Sequence, residues 1–368
     1  MSGLRVLMTV DAVGGVWRYA LDLASGLTAR GVQVVLAGLG PHPSAEQLAE
    51  ARAVGPLEWG DAPLDWMAAA PADLAGVAPW LDGLAAKHRI QLLHLNLPTQ
   101  AVGLGCGLPV LTVSHSCLAT WFAAVRGTGV PAEMAWQAEL TAKGLAAAGL
   151  VVAPTRAHAD AVTAAYGSAR IEVVHNSSQV PLPRSARAAE VIAVGRWWDD
   201  GKNGAVLDAA AEGCAWPVTL LGATEGPNGA RIVLNHARAG GSMPHPQIVA
   251  RICRAGIFCA PSLYEPFGLA ILEAARAGTP LVLADIPSFR ELWDGAALFF
   301  DPRNPAALRE ALNRVAADST LRARLGAAAE QRANRYRPET QHAAMLRLYR
   351  QLAPQGAPAQ TRNLTTAG

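Results

Sequence analysis

Pro261-Ser-Leu-Tyr-Glu-Pro-Phe-Gly-Leu-Ala-Ile-Leu-Glu-Ala-Ala-Arg-Ala-Gly278 follows a short apolar run, Gly256 to Ala260, and ends on a glycine placed like a helix stop. The apolar run reads as a buried strand. A Pro-Phe-Gly turn behind it predicts a helix whose first backbone amides lack intrahelical partners and point outward, where they suit an anion. Two carboxylates, Glu265 and Glu273, lie eight positions apart in the stretch. Glu273 falls among Leu269, Ile271, Leu272, Ala274 and Ala275, where an unpaired carboxylate would be costly. The stretch therefore reads as a phosphate-facing helix start with polar hooks for a hydroxyl-rich ligand. Were both carboxylates on one helix, the rise per residue would part them by about 12 Å, too far for a glycosidase-type acid and base. Separate binding roles are the better reading.

The surrounding chain repeats the same grammar. Upstream, Val191 to Val194 leads into Gly195-Arg196 and a loop ending at Lys202-Asn203, and Val218 to Leu221 leads into Gly222. Downstream, Pro280 to Ala284 and Ala297 to Phe300 are strands, helices are expected at about Pro305 to Ala317 and Ser319 to Asn334, and Pro338 opens a last amphipathic helix. The first half alternates likewise. Its strands are Leu4 to Val10, Val32 to Leu39, Gln91 to Leu95, Val110 to Val113, Leu150 to Ala153 and Ile171 to Val174, with helices at about Val16 to Arg30 and Ala72 to Lys87. Such alternation is the signature of parallel sheets covered by helices. Ligands collect at the carboxyl ends of such strands, and there the first half carries Gly14-Gly15, Asn96, Ser114-His115-Ser116, Thr155 and His175-Asn176. Val180 to Ala189, with Pro181 and Pro183, is the linker candidate, and 354–368 reads as a disordered tail. The expected organisation is a first domain over 1–182 joined by the returning helix 338–352, and a second domain over 187–335.

Composition narrows the function. At 368 residues and 51% apolar, the chain has ample material for two cores. No apolar run reaches the roughly 20 residues of a membrane span, and no signal-peptide layout precedes the first strand, so a soluble cytoplasmic protein is expected. The five cysteines form no Cys-x-x-Cys pair, the histidines show no ligand spacing, and Asp-x-Asp does not occur, so neither a disulfide frame nor a metal site is expected. The net charge of +2 gives no case for nucleic acid. It is uneven, −2 over residues 1–185 and +4 over the rest, so an anion would be better received by the second half. A negative first half argues for no more than weak peripheral membrane contact.

Arg196 and Lys202, taken alone, could be a solvated surface pair. Beside a helix start that invites phosphate they become a two-cation clamp for a diphosphate, Arg giving planar contacts and Lys a point charge. Gly14-Gly15 lacks the Gly-x-Gly-x-x-Gly dinucleotide fingerprint, yet lets the backbone approach a sugar or phosphate closely. His115 could be a buried structural histidine, but its place at a strand's carboxyl end favours the site. Asn96, Trp121 and Asn176 are candidates on the acceptor side; for most tryptophans core packing is the commoner fate.

Together these features resemble the retaining glycosyltransferases of family four, with the two-Rossmann GT-B architecture. The resemblance rests on Glu265 through Glu273 with the intervening Phe-Gly, on Gly195-Arg196 and Lys202-Asn203, on Gly14-Gly15, and on His175-Asn176, and it spans residues 3 to 352. It implies an α/β fold of two doubly wound domains facing a cleft, with the last helix crossing back to the first domain. It implies a nucleotide diphosphate sugar as donor, a carbohydrate or glycosylated acceptor, and no cofactor or metal. Arg196 and Lys202 would hold the diphosphate and stabilise its growing charge. Glu265 with Phe267, Gly268 and Leu269 would hold the sugar and phosphate, Glu273 the ribose, and His115 the donor sugar, while Gly14-Gly15 and Gly195 would line the donor. Ser177-Ser178 stands where the family usually has glycine, and Arg196 and Lys202 lie six apart, one more than the commonest spacing. A sugar-nucleotide epimerase and a non-catalytic nucleotide-sugar-binding protein are the alternatives.

Overall fold

The computed structural model describes residues 3–167, 170–179, 182, 186–227 and 229–352. The tail expected at 354–368 and positions 180, 181 and 183–185 of the expected linker lie outside the described residues.

Two parallel sheets carry the fold. The first contains β1 (Arg5–Asp11), β2 (Gln33–Leu39), β3 (Leu57–Trp59), β4 (Leu92–Leu95), β5 (Val110–Val113), β6 (Leu150–Ala153) and β7 (Ile171–Val173), in the order β3-β2-β1-β4-β5-β6-β7. The second contains β8 (Ala188–Val194), β9 (Val218–Leu221), β10 (Arg238–Gly241), β11 (Ala255–Ala260), β12 (Leu281–Ala284) and β13 (Leu298–Phe300), in the order β10-β9-β8-β11-β12-β13. Both orders reverse direction beside their first strand, between β1 and β4 and between β8 and β11. In open parallel sheets ligands settle at the carboxyl ends of the strands at this reversal. Gly14-Gly15 and Asn96 follow β1 and β4, Gly195-Arg196 and Pro261-Ser262 follow β8 and β11, and the chain thus brings its candidate residues to two such points.

Helices cover both faces of each sheet, so the central strands are buried on both faces rather than alternating, with Thr9, His94 and Thr112 buried among their apolar residues. Val6, Leu7 and Met8 in β1, and all of Leu281–Ala284 in β12, have no exposed surface. The final helix, Pro338–Leu352, crosses back to the first domain, where Met345, Leu348 and Tyr349 join the core built around β1 and the helix Gly15–Thr28. The crossing helix sits close because Gly26 has no side chain: a Cβ there would overlap the His342 ring.

The edges of the fold depart from the sequence expectations. β3 has three residues, and β10 is exposed and contains Gly240 and Gly241, so neither carries an apolar pattern. The helices Ala45–Val54 and His245–Arg254 were not expected either. The helix expected from Ala72 begins at Val77, after a 3-10 turn at Pro71–Leu74. Glu265 and Glu273 do not share a helix: the helix runs Leu269–Arg276, leaving Glu265 in the preceding turn. The separation worked out for one helix therefore does not apply.

Candidate active site

Three loops of the second domain are tied into one surface. After β8 the chain turns at Asp199, whose carboxylate accepts from Gly201 N at 2.9 Å, into a short 3-10 turn ending at Lys202. Asn203 takes a left-handed conformation (φ 57°), and its amide donates to the carbonyls of Pro261 (2.9 Å) and Pro302 (2.7 Å). The Leu263 and Tyr264 amides donate back to Gly201 O at 2.9 and 3.2 Å. This lacing sets Lys202 against Glu265 in a largely buried ion pair.

Beyond Glu265, Ser288 Oγ fixes the backbone by donating to Glu265 O at 2.6 Å. Gly268 then turns the chain with φ 88° and ψ 76°, a conformation that L side chains rarely adopt. The helix starts there, and among the described residues the amides of Gly268, Leu269 and Ala270 have no hydrogen-bond partner. They form the anion-receptive helix start expected from the sequence. Glu273, one turn in, is 2% exposed. Its Oε1 lies 2.9 Å from His245 Nε2, at the start of the helix His245–Arg254.

The first domain faces this surface with its own loops. Arg196 Nη1 donates to Val13 O at 3.4 Å, and a Cβ on Gly14 would come 3.3 Å from that nitrogen. Leu269 approaches Gly15 so closely that a Cβ there would meet it at 3.7 Å, and it packs on the apolar clusters of both domains. Arg196 also lies over the Trp198 ring, 5.4 Å from its centroid, and 3.4 Å from Asp199. Burial pushes the Asp11 carboxyl above its ordinary range, against the Val13 amide and the field of Arg196.

His115 follows β5 and Asn96 follows β4, and their side chains meet, Nε2 to Oδ1, at 2.9 Å. The Asn96 amide nitrogen donates to Thr9 O at 2.5 Å, which makes its oxygen the acceptor and His115 Nε2 the donor. Burial is the main cause holding His115 down at about 3, with His94 and His158 adding to it, so the ring is neutral at physiological pH. Nδ1 is then a hydrogen-bond acceptor, suited to a sugar hydroxyl. Tyr19 packs edge-on against the ring with centroids 4.4 Å apart.

Contacts between the domains hold the cleft narrow. Tyr264 meets Thr120 hydroxyl to hydroxyl at 2.8 Å and accepts from Cys117 N at 3.2 Å. Thr155 caps its own helix by accepting from His158 N and also donates to Pro266 O at 2.9 Å. Glu291 accepts from Arg156 N and Ala157 N at 2.9 and 2.7 Å. Trp121, a candidate acceptor-side residue, donates its indole N–H across the cleft to Asp199 at 3.1 Å. Asn176 is buried, its Oδ1 without a partner among the described residues. Gly195 lies under Lys202, whose Cγ would meet a Cβ there at 3.5 Å. The fold thus brings Gly14, Gly15, Arg196, Lys202, Glu265 and the 267–269 turn together, with His115 and Asn96 on the opposite wall. Tyr264, Asp199 and His245 were not singled out from the sequence. Tyr264 lies inside the opening stretch, but the partners of its hydroxyl are more than a hundred residues away.

Two family descriptions match this chain: Glycosyltransferase Family 4 over residues 13–177 and Glycosyl transferases group 1 over residues 230–332. The two matched segments fall one on each side of the cleft. The chain is a family-4 glycosyltransferase. Among its relatives, a phosphatidyl-myo-inositol mannosyltransferase of Mycobacterium leprae is 27% identical over 97% of this chain and 98% of its own. The fold is shared with the sucrose-phosphate synthase of Thermosynechococcus elongatus at 18% identity (TM-score 0.74, 95% of this chain and 99% of that one). It is shared equally with Anabaena HepE in complex with UDP-glucose, at 18% identity (TM-score 0.74, 95% and 100%). Among the described residues no helix is long and apolar enough to cross a membrane.

Proposed function

We propose that this glycosyltransferase moves a hexose, with retention at the anomeric carbon, from a UDP- or GDP-sugar to a carbohydrate, lipid-linked or small-molecule acceptor held by the first domain. The observation that carries the reading is the convergence of Arg196, the Lys202–Glu265 pair and three unpartnered helix-start amides on one surface beside Gly14-Gly15. Two cations and aligned amides offer a diphosphate more charge-assisted hydrogen bonds than any other surface described here.

In this reading a diphosphate competes with Glu265 for Lys202. Glu265, fixed at its backbone by Ser288, then turns its oxygens to the sugar hydroxyls. Arg196, Lys202 and the helix start stabilise the charge that builds on the leaving phosphate as the glycosidic bond breaks, so the cleft already supplies the positive charge. The departing phosphate takes the acceptor's proton. His115 accepts from a donor-sugar hydroxyl through Nδ1 and is held in that tautomer by Asn96. Glu273, oriented by His245, accepts from the ribose.

A thermal-shift screen of nucleotide sugars, followed by incubation with the donor that stabilises the protein, tests this. Release of nucleoside diphosphate with an α-linked product from an α-linked donor is expected. An altered sugar still attached to its nucleotide, without any acceptor, would make the protein an epimerase. Donor binding with neither transfer nor slow hydrolysis would make it a binding protein.

A further inference from the structure

The first domain holds a cavity of about 310 Å³ that takes no part in the donor site. It opens among the loops at the carboxyl edge of the first sheet, between the end of β2, the segment 63–79 and the turn after β4. Its walls are apolar, with Leu39, Leu64, Leu74, Val77, Leu97 and Leu140 contributing, and its polar residues are Asp65, Thr99 and Gln100.

Those polar residues connect it to the reacting centre along two routes. Gln100 Oε1 accepts from Thr9 Oγ1 at 2.7 Å, and Thr9 in turn holds Asn96, the partner of His115. Asp65 accepts from Thr99 Oγ1 at 2.8 Å. Its neighbour Trp66, one of only two exposed large apolar side chains among the described residues, stacks on Trp198 with centroids 6.4 Å apart. Trp198 is the ring beneath Arg196. The cavity is thus linked to His115 through Gln100, Thr9 and Asn96, and to Arg196 through Trp66 and Trp198.

We propose that this cavity receives the apolar portion of a neutral acceptor, while the hydroxyl to be glycosylated lies at the rim, between Asp65 and His115. The inference rests on the first domain being the acceptor side. Size sets the first limit. An apolar cavity of about 150 Å³ takes benzene, so one about twice as large suits an aliphatic or aromatic group of roughly ten carbon atoms. Charge sets the second. The lining contains one carboxylate, Asp65, and no Lys or Arg. A phosphorylated head group would meet repulsion there, whereas a sugar or alcohol hydroxyl would meet an acceptor.

The test is equilibrium binding, which needs no turnover. Methyl and octyl β-glucoside and octyl phosphate are titrated by calorimetry below their micelle concentrations. Octyl glucoside is expected to bind about 30-fold or more tightly than methyl glucoside, since each buried methylene contributes severalfold. It is also expected to bind more tightly than octyl phosphate. Ala75→Trp fills the cavity from an exposed lining position in the turn before the helix Val77–Lys87 and is expected to erase the chain-length preference; Leu140→Trp, from the helix Ala135–Ala147, should do the same. Equal affinity for the methyl and octyl compounds overturns the proposal, as does a preference that survives both tryptophans. Tighter binding of octyl phosphate overturns the neutral-acceptor half. The donor reading is judged separately, by nucleotide-sugar binding and nucleoside diphosphate release.

Discussion

Replacing His94 by glutamine should change how this protein responds to acid. His94 lies in β4 with no exposed surface, its Nδ1 2.6 Å from the Tyr349 hydroxyl of the returning helix. Its Nε2 is buried without a partner among the described residues, so a proton added there would be poorly accommodated. Burial accordingly holds its pKa at about 3, against an ordinary 6.5. A folded-state pKa below the unfolded one gives stability that is fully present above 6.5 and is lost as the pH falls towards 3. Between pH 7 and pH 5 the unfolded histidine takes up about three quarters of a proton while the folded one stays neutral, which lowers stability by about 2 kcal/mol. Glutamine can still meet the Tyr349 hydroxyl and does not titrate. Urea unfolding of both proteins at the two pH values isolates this group, because every other titrating group is common to both. The stability of the native protein relative to His94→Gln should fall by about 2 kcal/mol from pH 7 to pH 5. A difference that stays constant to within about 0.5 kcal/mol would refute the buried, neutral His94 on which the figure rests.

Further consequences concern the joins of the fold. Gly26→Ala should lower the melting temperature by several degrees, the overlap with His342 costing about 1–3 kcal/mol, and His342→Ala in the same chain should recover much of it. Tyr264→Phe removes the hydroxyl that meets Thr120 and the Cys117 amide, weakening closure by about 1 kcal/mol. Solution X-ray scattering should then show a larger radius of gyration, and an unchanged radius would mean that the other contacts suffice.

How much of this was legible in the sequence follows from where the information lies. Strands such as Leu281–Ala284 and Leu150–Ala153 are buried on both faces, so their apolar runs announce them, and the polar residues directly behind them mark the carboxyl edge. The Pro-Phe-Gly turn announced the helix start through the chemistry of Gly268 itself. β3 and β10 stayed hidden because short, exposed edge strands have no burial to write into the sequence. The helix Ala45–Val54 left a local signal, the reciprocal Ser44–Gln47 cap, that apolar periodicity passes over. The remaining gaps are long-range contacts. Nothing near Tyr264 specifies Thr120, 144 positions earlier, and nothing near Glu273 specifies His245. The cavity beside Asp65 is likewise assembled from four separate segments, none of which has a motif.

The central claim is that Arg196, Lys202 and Glu265 stabilise a departing nucleoside diphosphate. Its most direct test is the rate of nucleoside diphosphate release from the stabilising nucleotide sugar, in the native protein and in Arg196→Ala, Lys202→Ala and Glu265→Ala. Each variant should keep the native circular dichroism spectrum and lose about 10²-fold or more in turnover. Near-native turnover in all three, or no release from any nucleotide sugar by the native protein, would contradict the account.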